Sequence, residues 1–95
     1  MTSGSPVKSR SLKIINKRGL HARASARFVQ TAGGFDAVVR VTREGSTVGG
    51  TSIMGLMMLA ASTGCSIAVE AEGRQAEEVL DALEALIADR FGEEV

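Results

Sequence analysis

The sequence predicts an open-faced α+β sandwich of the order βαββαβα, a four-stranded antiparallel sheet with three helices on one face. Three observations lead to this prediction. Segments that alternate between apolar and polar residues are interspersed with segments of helical periodicity. Glycine-containing turns separate these segments. The predicted strands carry polar residues at outward positions, as expected of a sheet that is covered on one face only.

The first strand and the first helix lie in the first third of the chain. Residues 11–15 form a short β-rich run, which residues 16–19 end. Residues 22–32 follow a helical period, and we expect a left-handed glycine at residues 33–34 to end this helix. The residues on one face of the helix are Ala22, Ser25, Ala26, Phe28, Val29 and Ala32.

A hairpin and a second, short helix are predicted next. Residues 37–42 and 46–49 are expected to pair around a turn at residues 43–45, which contains a glycine. Residues 50–52 interrupt the sheet and cap a helix over residues 53–61. This helix is apolar on almost every side.

The last third of the chain contains a strand and the most regular helix. Gly64 is expected to end the second helix. Residues 66–72 alternate in the manner of a half-exposed strand. Residues 75–90 form an amphipathic helix, which buries one apolar stripe against the sheet. The members of that stripe are Val79, Leu80, Leu83, Leu86 and Ile87.

The 95 residues indicate a single domain over residues 9–95, preceded by a flexible tail over residues 1–8 that is rich in Ser, Gly and Pro. The single cysteine, Cys65, cannot form an internal disulfide, and we interpret it as a small packing residue. A reducing compartment and a cytoplasmic, monomeric protein are therefore expected.

Composition excludes two classes of partner. Eleven basic and eleven acidic side chains cancel, and aromatic residues make up only 3% of the chain. A nucleic-acid-binding protein would carry excess positive charge or aromatic stacking platforms. No apolar run approaches the ~20 residues that a membrane span needs. We therefore expect neither nucleic-acid binding nor membrane insertion.

The only histidine, His21, directly precedes the first predicted helix. The unpaired N–H groups and the dipole at this position disfavour the protonated ring, so a neutral, nucleophilic imidazole is expected. An anion attached to the ring would be bound by the N–H groups of Ala22 and Arg23. The guanidinium of Arg23 would add charge-assisted bonds to phosphate oxygens. This pattern favours a phosphoryl acceptor.

The residues alone leave a second hypothesis open, a small anion-sensing regulatory domain that binds a free anion and transfers nothing. A histidine before a helix can also be a simple cap. We expect no metal site, since one histidine and one cysteine are too few ligands, and no cofactor. The sequence does not exclude a catalytic triad with Ser25, but nothing in it favours one.

The second predicted helix suggests a docking surface. A helix of one or two turns cannot bury every apolar side chain on a small sandwich, and we expect Ile53, Met54 and Met57 to remain exposed for partners. A fully buried connecting helix is the open alternative. Ser52 is the expected N-cap. Phosphorylation of Ser52 would suit the helix dipole but would place about two negative charges beside the docking surface and weaken docking.

Two segments together resemble the HPr family of phosphocarrier proteins of the phosphoenolpyruvate-dependent phosphotransferase system. Residues 16–23, Asn-Lys-Arg-Gly-Leu-His-Ala-Arg, resemble the family's active-site motif. Residues 52–57, Ser-Ile-Met-Gly-Leu-Met, resemble its regulatory-serine motif. The separation of the motifs and the order of elements are also similar, and the resemblance extends from about residue 9 to the end.

The resemblance implies a carrier rather than an enzyme with its own turnover. His21 would accept a phosphoryl group on ring Nδ1 from phosphorylated enzyme I, with assistance from Arg23. The group would then pass to a histidine of an enzyme IIA domain. In some lineages an HPr serine kinase/phosphorylase is a further partner, and it would modify Ser52 and thereby slow phosphorylation of His21.

The chain departs from the common family pattern at two positions. Ala24 replaces the proline that usually follows the arginine, which should loosen the helix start slightly without moving the anion site. This alanine, with Asn16 and Lys17 and the run at residues 57–61, resembles the nitrogen-related (NPr) branch. Thr51 stands where many relatives have lysine, which affects how a serine kinase would recognise Ser52.

Overall fold

The computed structural model describes residues 7–93 and has the predicted order of elements. The strands are β1 (Val7–Lys13), β2 (Val38–Arg43), β3 (Ser46–Gly49) and β4 (Ser66–Glu72). The helices are α1 (Ala22–Ala32), α2 (Ile53–Met58) and α3 (Ala76–Ala88), and a 3-10 turn follows at Arg90–Gly92.

The four strands form one antiparallel sheet in the order β1-β4-β2-β3. Leu12 lies opposite Ile67, and Val41 lies opposite Val69, and these four side chains are buried on the face that the helices cover. The other face carries polar pairs, among them Arg40 opposite Glu70. The predicted open-faced sandwich is therefore confirmed.

The core lies between the inner face of the sheet and the helices. Its largest fully buried side chains include Phe28, Phe91, Ile14, Leu56, Ile67, Leu80 and Leu83. The buried face of α1 differs from the prediction, because Ala22 is exposed and Ala24 is fully buried. Ala22 is the first residue of α1, and it is exposed at the end of the helix.

The first strand begins earlier than predicted. It spans Val7–Lys13 rather than residues 11–15, because β4 is seven residues long and offers a pairing partner to every residue back to Val7. Val7 pairs with Glu72 and Lys8 with Ala71, so both residues belong to the sheet and not to the predicted tail. The rest of that tail, residues 1–6, lies outside the described residues.

Helix α2 is shorter than the predicted helix over residues 53–61. Ala60 has a φ of +53°, which is incompatible with a continuing right-handed helix. The turn lets both Leu59 and Ala61 enter the core, where their exposures are 5% and 3%. The guanidinium of Arg43 donates to the carbonyl of Leu59 at 3.0 Å and replaces a helical hydrogen bond there.

The two glycines that were expected to end α1 and α2 act differently. Gly33 caps α1 with a φ of −73°, which is right-handed rather than left-handed. Gly64 does have a positive φ of +90°, but it lies beyond the end of α2. Its N–H donates to the carbonyl of Ile14 at 2.7 Å and leads the chain into β4.

Helix α3 ends at Ala88, two residues before the predicted end. Four members of its predicted stripe, Val79, Leu80, Leu83 and Ile87, are buried, and the fifth, Leu86, is only partly buried. The chain reverses through Arg90, Phe91 and Gly92, all of which have positive φ values. Phe91 is 1% exposed and fastens this reversal to the core. Within residues 7–93, none of the helices has the length and apolar character required to cross a membrane.

Candidate functional site

His21 is the N-cap of α1, in extended conformation with φ −74° and ψ −177°. Its ring Nδ1 accepts a hydrogen bond from the backbone N–H of Arg23, with 3.3 Å between the nitrogens. A Ser, Thr, Asp or Asn side chain usually takes this role at a helix start. Because a backbone N–H can only donate, Nδ1 carries a lone pair rather than a proton.

The opposite nitrogen of the ring, Nε2, contacts Oε2 of Glu93. An ionised carboxylate can only accept a hydrogen bond, so Nε2 carries the proton. The neighbours of His21 thus define one tautomer of the neutral ring, in which Nε2 carries the hydrogen and Nδ1 is unprotonated. The side chain of His21 is 23% exposed and that of Glu93 is 14% exposed.

A hydrogen bond from the side chain of Asn16 positions the carboxylate of Glu93. Its side chain is fully buried, and Nδ2 donates to Oε1 of Glu93 at 3.0 Å and to the carbonyl of Gly19 at 2.9 Å. Burial works against the charged form of Glu93, but the hydrogen bonds from Asn16 and His21 and the charge of Arg18 outweigh it. The pKa of Glu93 therefore lies below its ordinary value.

The chain before His21 is fixed by contacts with the end of α2. The N–H of Leu20 donates to the carbonyl of Ala61 at 2.9 Å. The hydroxyl of Ser25, which is fully buried, donates to the carbonyl of Leu20 at 3.1 Å. Gly19 has a φ of +66° and lies against Ala61 and Ser62, so the approach to the helix depends on a residue without a side chain.

A cationic cavity of about 780 Å³ opens beside these groups. We use this name for the space whose wall contains four positively charged side chains and one carboxylate. The charged residues are Lys17, Arg18, Arg23, Arg27 and Glu93, and Phe91 and Gly92 complete the wall. Such a concentration of positive charge attracts phosphate groups and carboxylates.

Ser52 is the N-cap of α2, and its hydroxyl oxygen accepts from the backbone N–H of Gly55 at 3.0 Å. Ser52 is exposed. Helix α2 packs against α1, so the two predicted sites belong to two helices in contact. In residues 7–93, no group of three or more His, Cys, Asp or Glu residues is arranged to bind a metal ion.

Helix α2 presents a methionine patch, by which we mean the exposed side chains of Ile53, Met54, Met57 and Met58. Their exposures are 40%, 69%, 39% and 79%, whereas Leu56 is fully buried. The first three were predicted to be exposed, and Met58 was not named although it is the most exposed. The docking role of these residues stays a prediction.

Sequence reasoning placed His21, Ala22 and Arg23 at one helix start, and the structure brings them together there. The sequence did not predict Glu93 as a site residue, and it predicted no individual role at the site for Asn16, Lys17 or Arg18. Glu93 is 72 positions from His21 along the chain. No local pattern indicates that contact, because it depends on how the chain reverses after α3.

Known proteins share this order of elements. A family model described as "PTS HPr component phosphorylation site" matches residues 8–89. The chain belongs to the HPr family. As a family member it is a phosphocarrier of the phosphotransferase system, a carrier rather than a catalyst.

The chain is similar to HPr proteins of several bacteria. It is 54% identical to the phosphocarrier protein HPr of Cupriavidus necator over 84 residues, which are 88% of this chain and 94% of that protein. It is 52% identical to the HPr of Pseudomonas aeruginosa over 83 residues, which are 86% of this chain and 92% of that protein.

Solved HPr structures have the same fold. The crystal structure of HPr-C-His from Thermoanaerobacter tengcongensis matches with a TM-score of 0.88 and 44% identity, over 93% of this chain and 99% of that one. The HPr of Bacillus anthracis matches with a TM-score of 0.80 and 43% identity, over 83% and 94% of the respective chains.

Substitution of Gly19 by alanine should lower the free energy of unfolding of this protein more than substitution of Gly45 by alanine. Both residues have positive φ, so either change costs roughly 1–2 kcal/mol in backbone strain. A Cβ at Gly19 would also lie 2.8 Å from Cα of Ser62, whereas nothing lies within 4 Å at Gly45. Overpacking adds roughly 1–3 kcal/mol at Gly19. Urea unfolding of both variants measures the difference, and equal losses would contradict it.

Proposed function

We propose that Nδ1 of His21 accepts a phosphoryl group from phosphorylated enzyme I and passes it to a histidine of an enzyme IIA domain. The observation that carries this proposal is the state of the ring. Nδ1 is unprotonated and lies at the N-terminus of α1, where it accepts from the Arg23 N–H, while Nε2 is engaged by Glu93. A nucleophile with an adjacent anion site is what phosphoryl transfer requires.

The transfer is balanced without a further reactant. The lone pair of Nδ1 forms a bond to the phosphorus, and the donor's P–N bond breaks with its electron pair going to the donor nitrogen. The proton on Nε2 of His21 stays in place. Bonding to phosphorus uses the lone pair that accepts from Arg23, so the Arg23 N–H becomes free to donate to a phosphoryl oxygen. The same step runs in reverse, with His21 as donor, when the group leaves.

The cationic cavity supports the same proposal. The guanidinium of Arg23 is two residues from His21 and can bind two phosphoryl oxygens at once. Arg27 lies one helical turn further on, with its guanidinium against Gly92. The charges on Lys17, Arg18 and Arg27 are suited to attract acidic surfaces of partner proteins and to increase the rate of encounter. These cations also favour the alternative, an anion sensor without transfer, which the first experiment below separates from the carrier.

Ser52 and the methionine patch are proposed to control docking. The patch gives an adaptable apolar surface on α2, the helix that packs against α1. A phosphate on Ser52 would lie at the N-terminus of α2, where the dipole tolerates negative charge, so the fold would persist. The negative charge would be placed beside the apolar surface and would weaken docking. The HPr serine kinase/phosphorylase is the proposed partner at Ser52. A cytoplasmic monomer of the nitrogen-related branch is likewise our proposal.

Incubation with phosphoenolpyruvate and enzyme I should place an acid-labile, alkali-stable phosphate on the wild-type chain and none on His21→Ala. Phosphate linked to nitrogen has this stability, whereas a phosphate ester does not. Mass spectrometry of the intact protein at alkaline pH measures the incorporation. An unlabelled wild type, with an enzyme I from the same source that is shown to be active, would leave the anion sensor as the function.

Substitution of Arg23 by alanine should slow transfer more than substitution of Arg27. Only Arg23 is expected to contact the phosphoryl oxygens, and loss of a charge-assisted hydrogen bond corresponds to roughly 1.5–3 kcal/mol, or about 10–100-fold in rate. Arg27→Ala removes the same charge from the cavity and serves as the control. Rapid-quench measurement of phosphorylation compares the two variants. Equal rates would contradict a specific role for Arg23.

Ser52→Asp should reduce the rate of His21 phosphorylation with little change in melting temperature, because aspartate is itself a good N-cap. Ser52→Ala is the matched control. It loses the cap, about 1 kcal/mol, but adds no charge, so its transfer rate should stay near that of the wild type. Thermal unfolding and transfer kinetics are measured on both. Unfolding of Ser52→Asp, or equal transfer rates in the two variants, would contradict the docking control.

A further inference from the structure

Glu93 is held by contacts that leave its carboxylate little freedom. Phe91, two residues before it, is buried in the core, and the N–H of Glu93 donates to the carbonyl of Arg90 at 2.9 Å. Arg90 and Phe91 adopt left-handed backbone conformations, which are strained for a residue other than glycine. Strain of this kind persists only where surrounding contacts enforce it. Here the enforced conformation places a carboxylate on the histidine ring.

The amide of Asn16 is oriented towards the same carboxylate. Both of its hydrogen bonds are made by Nδ2, and Oδ1 has no partner among residues 7–93. The reversed amide would place Oδ1 against two acceptor oxygens, so the contacts themselves define this orientation. A buried acceptor without a partner destabilises the fold. The orientation in which Nδ2 of Asn16 donates to Glu93 is thus maintained although Oδ1 lacks a partner.

The two groups that contact the ring require different protonation of its two nitrogens. Glu93 requires a proton on Nε2, and the Arg23 N–H requires a lone pair on Nδ1. Neutral histidine otherwise exists as a mixture of tautomers, and the tautomer with hydrogen on Nδ1 cannot attack phosphorus through that atom. A carboxylate on Nε2 removes the unreactive form. It also fixes the plane of the ring in which the Nδ1 lone pair lies.

The carboxylate has a second consequence for charge. When Nδ1 bonds to phosphorus while Nε2 keeps its proton, the ring gains a positive charge. Glu93 lies against Nε2, on the side of the ring away from the new bond, and a negative charge there stabilises the ring. The cations around the cavity bind the phosphoryl oxygens on the other side. The two opposite charges are thus stabilised by separate groups.

From these contacts we propose that Glu93 is a positioning residue for phosphoryl transfer. It holds His21 in the tautomer with hydrogen on Nε2 and compensates the charge that the ring gains. The proposal rests on the proposed function of His21, but its effect on the tautomer exists before any phosphate is present and can be measured separately.

The test compares Glu93→Ala and Glu93→Gln with Glu78→Gln, an exposed position on α3 where the same charge is removed. Nitrogen-15 NMR of the imidazole, in alkaline buffer and without phosphate, reports which ring nitrogen carries hydrogen. Single-turnover phosphorylation by enzyme I reports the rate. Circular dichroism and melting temperature check that each variant is folded.

In wild type and Glu78→Gln we expect hydrogen mainly on Nε2. Glu93→Ala leaves only the long hydrogen bond from the Arg23 N–H, at 3.3 Å, to select the tautomer, so we expect a larger share of hydrogen on Nδ1. Transfer should be at least about tenfold slower, the lower end of what loss of a histidine-orienting carboxylate costs in metal sites. Glu93→Gln keeps an acceptor oxygen, so the tautomer should persist while transfer slows through loss of charge. Unchanged imidazole signals in Glu93→Ala would overturn the positioning role, and a wild-type rate in Glu93→Gln would overturn charge compensation. Failure of wild-type phosphorylation with a shifted tautomer in Glu93→Ala would refute only the carrier function.

Discussion

The imidazole of His21 is held between two groups that belong to distant parts of the chain. The backbone N–H of Arg23 donates to Nδ1 from the start of α1, and the carboxylate of Glu93 accepts from Nε2 at the far end of the described residues. Each contact specifies the protonation of one nitrogen, so together they determine which atom is nucleophilic. A histidine without such contacts could take either tautomer, so the proposed role of His21 as phosphoryl acceptor depends on this pair of contacts.

The fold supplies the rigidity that this pair requires. Ser25 and Ala61 bind the two polar backbone groups of Leu20, and Gly19 lets the chain pass close to Ala61. On the opposite side, Phe91 fixes the reversal that carries Glu93. These contacts bring the start of α1 and the chain after α2 and after α3 together around one ring, while the sheet provides the apolar surface on which the helices pack.

The starts of α1 and α2 differ in the side chains that they present. The start of α1 combines a nucleophile with a cationic cavity, which suits chemistry on a phosphoryl group. The start of α2 combines a serine cap with an exposed apolar patch, which suits the recognition of partners. Leu56 fixes α2 to the core while the methionines are exposed, which is consistent with the proposal that charge at Ser52 alters recognition without altering the fold.

Local patterns in the sequence determined the order of elements, the position of His21 and Arg23 at one helix start, and the cap at Ser52, because periodicity and capping depend on residues a few positions apart. Only the tertiary structure decided three other features, which are the full length of β1, the early end of α2 at Ala60 and the contact between Glu93 and His21. Each of these depends on a distant partner: the register of β4, the core that receives Leu59 and Ala61, and the burial of Phe91. The nucleophile could be recognised from its neighbours in sequence, but its tautomer required a carboxylate that only packing brings to it.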